Sequence, residues 1–138
     1  MLHTVLVDAG PLIALFDKDD QFHQTMLDFI RAKKYKFVTT LAVITEASHM
    51  LDFSVDVQMM LMQWVMQDGV IIQDITQADF YRVIALSKKY RDIPMDFADA
   101  TLVIAAEKTG IRNIISVDSD FDIDRLPGKV KIQNIFKR

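Results

Sequence analysis

Short runs rich in β-branched residues recur along this chain, separated by longer stretches whose apolar residues return every three or four positions. That alternation predicts a parallel sheet. Parallel strands need a connection long enough to hold a helix, and each helix must bury its apolar stripe against the sheet it crosses. HTVLV at 3–7, KFVTT at 36–40, VIIQD at 70–74 and NIISV at 113–117 read as strands, and KVKIQ at 129–133 alternates like a fifth, at an edge. The expected architecture is α/β: a three-layer α/β/α sandwich around a mostly parallel sheet of four to five strands. In such sheets the functional crevice lies outside the carboxyl ends of the strands.

The intervening stretches carry helix signals. Gly10 and Pro11 open a helix through Leu12, Ile13, Leu15 and Phe16, since Pro is tolerated near the first helical position. Asp19 and Asp20 end it. The next helix spans Gln21 to about Lys33, with Phe22, Met26, Phe29 and Ile30 on one stripe. Thr40 is placed to cap a helix from about Leu41 to Phe53 that turns Val43, Ala47, Met50 and Leu51 inward and holds Glu46 near its middle. Another helix spans Val55 to Gln67 and ends at Asp68 and Gly69. Thr76 suits the N-cap of a helix through Phe80, Val83, Ile84 and Ser87; Pro94 then breaks the chain before a last helix that begins at Asp96 and closes at Gly110. With no linker, repeat or low-complexity tract, residues 1–138 read as one domain.

A chain of 138 residues without Cys is long enough to bury a core unaided, and it has no thiol nucleophile, thiolate zinc site or disulfide framework. A reducing, cytoplasmic setting is the expectation. No run reaches the roughly 18–20 apolar residues of a membrane span, and MLHTVLVDAG lacks the basic flank of a secretory signal. The net charge of −3 argues against a strongly basic nucleic-acid coat protein. Local basic groups at Arg31, Lys33, Lys34 and Lys36, at Lys88, Lys89 and Arg91, and at Lys137 and Arg138 read first as solvated surface.

Against that background, Asp8, Glu46, Asp99 and Asp118 lie in or at the ends of apolar runs whose topology would bring them together. Clustered carboxylates repel one another and raise one another's pKa unless a cation balances them, and hard oxygen donors favour Mg²⁺ or Mn²⁺. Each position also has a plainer reading. Asp8 precedes Gly10 and Pro11 and could merely cap a helix; Asp96 suits an N-cap and Asp99 the first turn behind it. Glu46 could be one solvent-facing acid on an amphipathic helix, and Asp118 and Asp120 could make a turn. His3, His23 and His49 have neither HExxH spacing nor Cys partners, so they read as structurally satisfied side chains rather than zinc ligands. There is no GxGxxG, P-loop or nucleophile elbow, and VDAGP lacks the second Asp of a phosphatase DxD motif.

VLVDAGPLIALFD, TTLAVITEASHML, MDFADATLVIAAEKTG and IISVDSDFD, in that order, resemble the motifs of the PIN-domain family of metal-dependent ribonucleases. The resemblance covers nearly the whole chain, and its size and layout are similar to those of VapC-type toxins of toxin–antitoxin pairs. It implies an endoribonuclease in which Asp8, Glu46, Asp99 and Asp118 form an acidic quartet holding Mg²⁺ or Mn²⁺. Asp8 and Asp99 would touch the metal, Asp118 directly or through water, and Glu46 would contact it or orient water. Asp96 is left as a helix cap at the pocket rim and Asp120 as second choice to Asp118. The family more often reads Thr where Ser116 stands, and either hydroxyl serves the same hydrogen-bonding purpose.

The resemblance also implies an RNA substrate and a small antitoxin packed over the groove. The alternatives are a catalytically weak PIN-like binding or assembly module and, third, a phosphatase or other metal hydrolase on a similar sheet. The helix from Val55 to Gln67 bears on partners, because Met59, Met60, Leu61, Met62, Trp64, Val65 and Met66 cover most of its circumference. Such a helix must be buried in a thick core, in a homodimer seam or under a partner helix that flexible thioethers accommodate. A homodimer is the expected state.

Overall fold

The computed structural model describes residues 2–93, 95–117 and 132–136. Asp118, Asp120, Pro94, Lys137, Arg138 and residues 129–131 of the expected fifth strand lie outside them.

Among the described residues the chain runs β1 (His3–Val7), α1 (Ala9–Phe16), α2 (His23–Arg31), β2 (Tyr35–Thr39), α3 (Leu41–Met50), α4 (Val55–Met66), β3 (Val70–Ile72), α5 (Phe80–Lys89), α6 (Phe97–Thr109), β4 (Asn113–Ile115) and β5 (Gln133–Asn134). The strands stand in the order β3-β2-β1-β4-β5, and every neighbouring pair is parallel. β1 is central: Leu6 faces Val38 on one side and Ile114 on the other. Its residues Val5, Leu6 and Val7 are fully buried, as a strand covered on both faces requires. Strand order reverses at β1, with β2 and β3 laid to one side and β4 and β5 to the other. Right-handed crossovers therefore put the β1→β2 and β2→β3 helices on one face and the β3→β4 helices on the opposite face.

Local chemistry sets the helix boundaries. Asp96 is the N-cap of α6, its carboxylate accepting the Asp99 N–H at 2.7 Å, and Gly110 closes the same helix at φ 77°, in the left-handed region that Gly enters without cost. Ser54 caps α4 by accepting the Val57 N–H. Thr76 does form a capping box with Asp79, but over a 3₁₀ turn at Gln77–Asp79 that leads into α5. Arg82 pairs with Glu107 at 2.8 Å and Lys108 with Asp79, tying α5 to α6 through partly exposed ion pairs worth little individually.

Burial departs from the expected inward stripe in α3. In α3 the inward stripe is Val43, Ala47 and Leu51, spaced by four, together with Ile44, so Met50 falls on the margin and is 56% exposed. In α5, Leu86 is the buried residue, whereas Phe80 and Ile84 remain exposed and Phe80 rests against Phe97 with ring centroids 5.5 Å apart. α4 is not enclosed within the chain. It seats Leu61 in the core and Trp64 edge-on to Phe16, while Val55, Met59, Met60, Met62 and Met66 stay exposed. The helix buried on nearly all sides is α6, whose small Ala98, Ala100, Ala105 and Ala106 permit close approach of its neighbours. No described helix is long and apolar enough to cross a membrane.

Candidate active site

The reversal of strand order places the ends of β1 and β4 side by side, and Asp8 leaves the first of them. Its main-chain N–H donates to Ile115 O at 3.1 Å, continuing the β1–β4 ladder by one residue. Its side chain is 7% exposed and committed on both oxygens: Oδ1 accepts the Ala9 N–H at 2.8 Å as the N-cap of α1, and Oδ2 accepts the Ser116 hydroxyl at 3.0 Å. Cap and site carboxylate are thus one residue. Thr39, at the end of β2, donates its hydroxyl to Val7 O at 2.7 Å and satisfies the last carbonyl of β1.

Gly10 follows from the same closeness. A Cβ there would lie 2.3 Å from Val117 Cγ2, so only Gly lets the start of α1 lie against the residue that follows Ser116. Val117 lines the cleft, and Asp118, the next residue, is outside the described residues.

Glu46 and Asp99 arrive on two other helices. Thr40 occupies the N-cap position of α3 but makes no side-chain capping bond; its hydroxyl meets Thr101 Oγ1 at 2.7 Å. Because the Thr101 hydroxyl donates to Ala98 O at 2.6 Å, Thr40 must be the donor of that pair. Both threonines are fully buried, so this bond locks the start of α3 to the first turns of α6. Glu46, one turn into α3, then faces the opening that Asp96 and Asp99 border.

Asp8, Glu46, Asp96 and Asp99 line one cleft of about 220 Å³ with Gly10, Ile13, Met50 and Val117. Burial first, then the charges of Asp96 and Asp8, raise the Glu46 pKa above its ordinary 4.5. The cleft is therefore a region of negative potential. Three of the four expected site residues come together; Asp96, read as a cap at the rim, does both jobs. No group of three or more His, Asp or Glu side chains among the described residues is arranged to hold an ion. The donors are nevertheless all carboxylate oxygens, the chemistry that suits a hard divalent cation.

The histidines stay out of the cleft lining. His23 donates Nδ1–H to Ala14 O at 2.6 Å, a structural bond between α2 and α1, and His3 lies beside the Tyr35 ring. The sequence reading missed Gly10 as a steric necessity, Met50 as a cleft residue, and Asn134. Asn is depleted in strands, and its presence between Ile132 and Ile135 in a strand-like stretch was the available signal for the last.

A PIN-domain family model matches residues 5–126. The fold is similar to the crystal structure of Mycobacterium tuberculosis VapC20, a toxin that cleaves the sarcin–ricin loop, with a TM-score of 0.78 and 20% identity over 86% of this chain and 92% of that one. At that identity the likeness speaks for the fold. No curated protein sequence matches significantly.

Proposed function

The chain belongs to the PIN-domain family, and from that premise we propose that it is a metal-dependent endoribonuclease, the toxin of a toxin–antitoxin pair, acting in the cytoplasm as a single catalytic domain. The observation that carries the proposal is the cleft at the strand-order switch point, where Asp8, Glu46, Asp96 and Asp99 converge from a strand end and two helices. We assign Asp8, Glu46, Asp99 and Asp118 to hold Mg²⁺ or Mn²⁺. Bound there, the ion would polarise a phosphoryl oxygen and lower the pKa of a water ligand.

The chain's own groups prepare the rest. Asp8 is pre-oriented by the Ala9 N–H and the Ser116 hydroxyl, so its carboxylate need not reorganise on binding. Asp99 is held in the first turn of α6, where a negative charge is favoured and where Asp96 has taken over the capping. Glu46, which reaches the same opening on a longer side chain, is suited to contact the ion or to orient its water. An RNA strand or loop is the substrate class we take from the family and from the sarcin–ricin loop cleaved by the toxin whose fold is similar.

Two apolar surfaces support partners. Met50 borders the cleft itself, and Phe53 and Val55, 60% and 67% exposed, follow it in the turn to α4. This edge suits an antitoxin segment lying over the groove with a basic side chain toward the carboxylates. The exposed Met59, Met62 and Met66, spaced by three and four on α4, suit a seam between two copies of the chain.

Cleavage of a mixed RNA pool by purified protein with Mn²⁺, Mg²⁺ or EDTA, beside Asp99→Asn, tests the proposal. Metal-dependent cutting that is lost in the variant is the expected result. Wild type and variant that are equally inactive with either metal would leave a binding or assembly module in its place.

A further inference from the structure

Beyond the cleft, one buried polar side chain is committed to the same strand end. Asn134 is 3% exposed on the two-residue edge strand β5 and does not line the cleft. Its side-chain amide Nδ2 donates to Ser116 O at 2.9 Å, and its Oδ1 accepts both the Ser116 N–H at 3.2 Å and the Phe136 N–H at 3.1 Å. The orientation of the amide follows from its neighbours, because the reverse would set its NH₂ against two N–H donors. Ordinary strand pairing between β4 and β5 runs as far as Ile135 N–H to Ile114 O. At the next step the Asn134 amide, one donor and one acceptor on a single plane, stands in for a main-chain partner and satisfies both backbone groups of fully buried Ser116.

Ser116 is thus gripped from both sides. Asn134 holds its backbone, and its hydroxyl holds Asp8 Oδ2 across 108 residues of sequence. A rotation of the Ser116 peptide would carry Oγ away from the carboxylate, and the Asn134 bonds to its N–H and C=O oppose that rotation.

We infer that Asn134 is a positioning residue of the carboxylate site, setting the orientation of Asp8 through Ser116 without touching the cleft. The inference rests on the reading of Asp8 as a metal-holding carboxylate. Removal of a side chain bonded directly to a metal ligand, as the Ser116 hydroxyl is to Asp8, lowers metal affinity by about 10–100-fold, and a group one bond further out, such as Asn134, costs no more than that.

The test is Mn²⁺ affinity, followed by water-proton relaxation, for wild type, Asn134→Ala, Asn134→Leu, Ser116→Ala and the double variant Ser116→Ala/Asn134→Ala. Asn134→Ala removes the same three bonds with neither the bulk of Leu nor a buried charge, so it decides the matter if Asn134→Leu does not fold. Ser116→Ala is expected to bind Mn²⁺ at least about tenfold more weakly, the Asn134 variants more weakly than wild type by up to the same factor, and the double variant no more weakly than Ser116→Ala alone, because the two act through one hydroxyl. In metal-free Asn134→Leu, exchange of the Ser116 amide proton should quicken while that of Leu6 does not. Wild-type Mn²⁺ affinity in the Asn134 variants, or losses that multiply in the double variant, would overturn the positioning role. Asp8→Asn serves as the control: unchanged affinity there removes the metal-site reading, whereas weakened binding in Asp8→Asn beside normal binding in Asn134→Ala removes the Asn134 inference alone.

Discussion

Replacing Gly10 by Ala opposes two effects of known sign. Gly10 has no positive φ among the described residues, so an Ala fits its helical backbone and should gain up to about 1 kcal/mol of helix propensity, less in a first turn. Against this, the new methyl would lie 2.3 Å from Val117 Cγ2 and 3.6 Å from Val117 Cβ. Ordinary carbon contacts are about 3.5–4 Å, so more than 1 Å must be relieved, and the β-branched Val117 has few rotamers in which to yield. Overpacking of this kind costs about 1–3 kcal/mol. Clash should therefore win, leaving Gly10→Ala less stable by about 1–2 kcal/mol, a loss of several degrees in Tm. Urea denaturation of Gly10→Ala, Val117→Ala and the double variant isolates the steric part. The double variant should regain about 1 kcal/mol relative to the sum of the singles, since Val117→Ala removes the methyl that obstructs. A Gly10→Ala protein more stable than wild type, or strictly additive effects, would refute the packing argument and with it the claim that Gly10 sets the distance between α1 and the end of β4. Because both residues line the cleft, RNA cleavage should fall in Gly10→Ala and return in part in the double variant.

The raised Glu46 pKa makes a signed prediction. Its folded value lies above its unfolded one, so the associated stability is present below about pH 4.5 and is lost as pH rises through the folded value. Glu46→Gln should exceed wild type by a few tenths of a kcal/mol at pH 7, a small gain because solvent screens the exposed carboxylate, and should match it near pH 4. Urea unfolding at both pH values checks this, and an equal difference at the two would contradict it. Thr40→Val keeps the shape of a fully buried residue but removes the donor to Thr101; a loss of about 1–2 kcal/mol is expected, and unchanged stability would mean that the α3–α6 bond contributes nothing. If the proposed homodimer forms through α4, Met59→Lys with Met62→Lys should turn it into monomer by sedimentation without lowering the monomer's Tm, since both side chains are already about half exposed. A dimer that survives the change has its seam elsewhere.

Much of this protein could be read from local pattern. The β-branched runs sat within a residue or two of β1 to β4, Asp96 and Gly110 marked the ends of α6, and the parallel order that follows from long crossovers was enough to send Asp8, Glu46 and Asp99 toward one edge of the sheet. These features depend on backbone geometry and on apolar periodicity, which are properties of neighbouring residues. The remaining features depended on partners remote in sequence. Thr40 is an excellent capping residue by its own chemistry, yet its hydroxyl went to Thr101; Met50 and Leu51 are equally apolar, yet only the position of α1 and α6 decides which one faces inward. The Met-rich α4 stays partly uncovered and the Ala-rich α6 is buried on nearly all sides for the same reason: how deeply a helix is covered depends on what lies across from it. The carboxylates themselves belong to the sequence, but the fixing of Asp8 between the Ala9 amide and a hydroxyl 108 residues away, itself held by Asn134, exists only once the parallel sheet has brought three strand ends together.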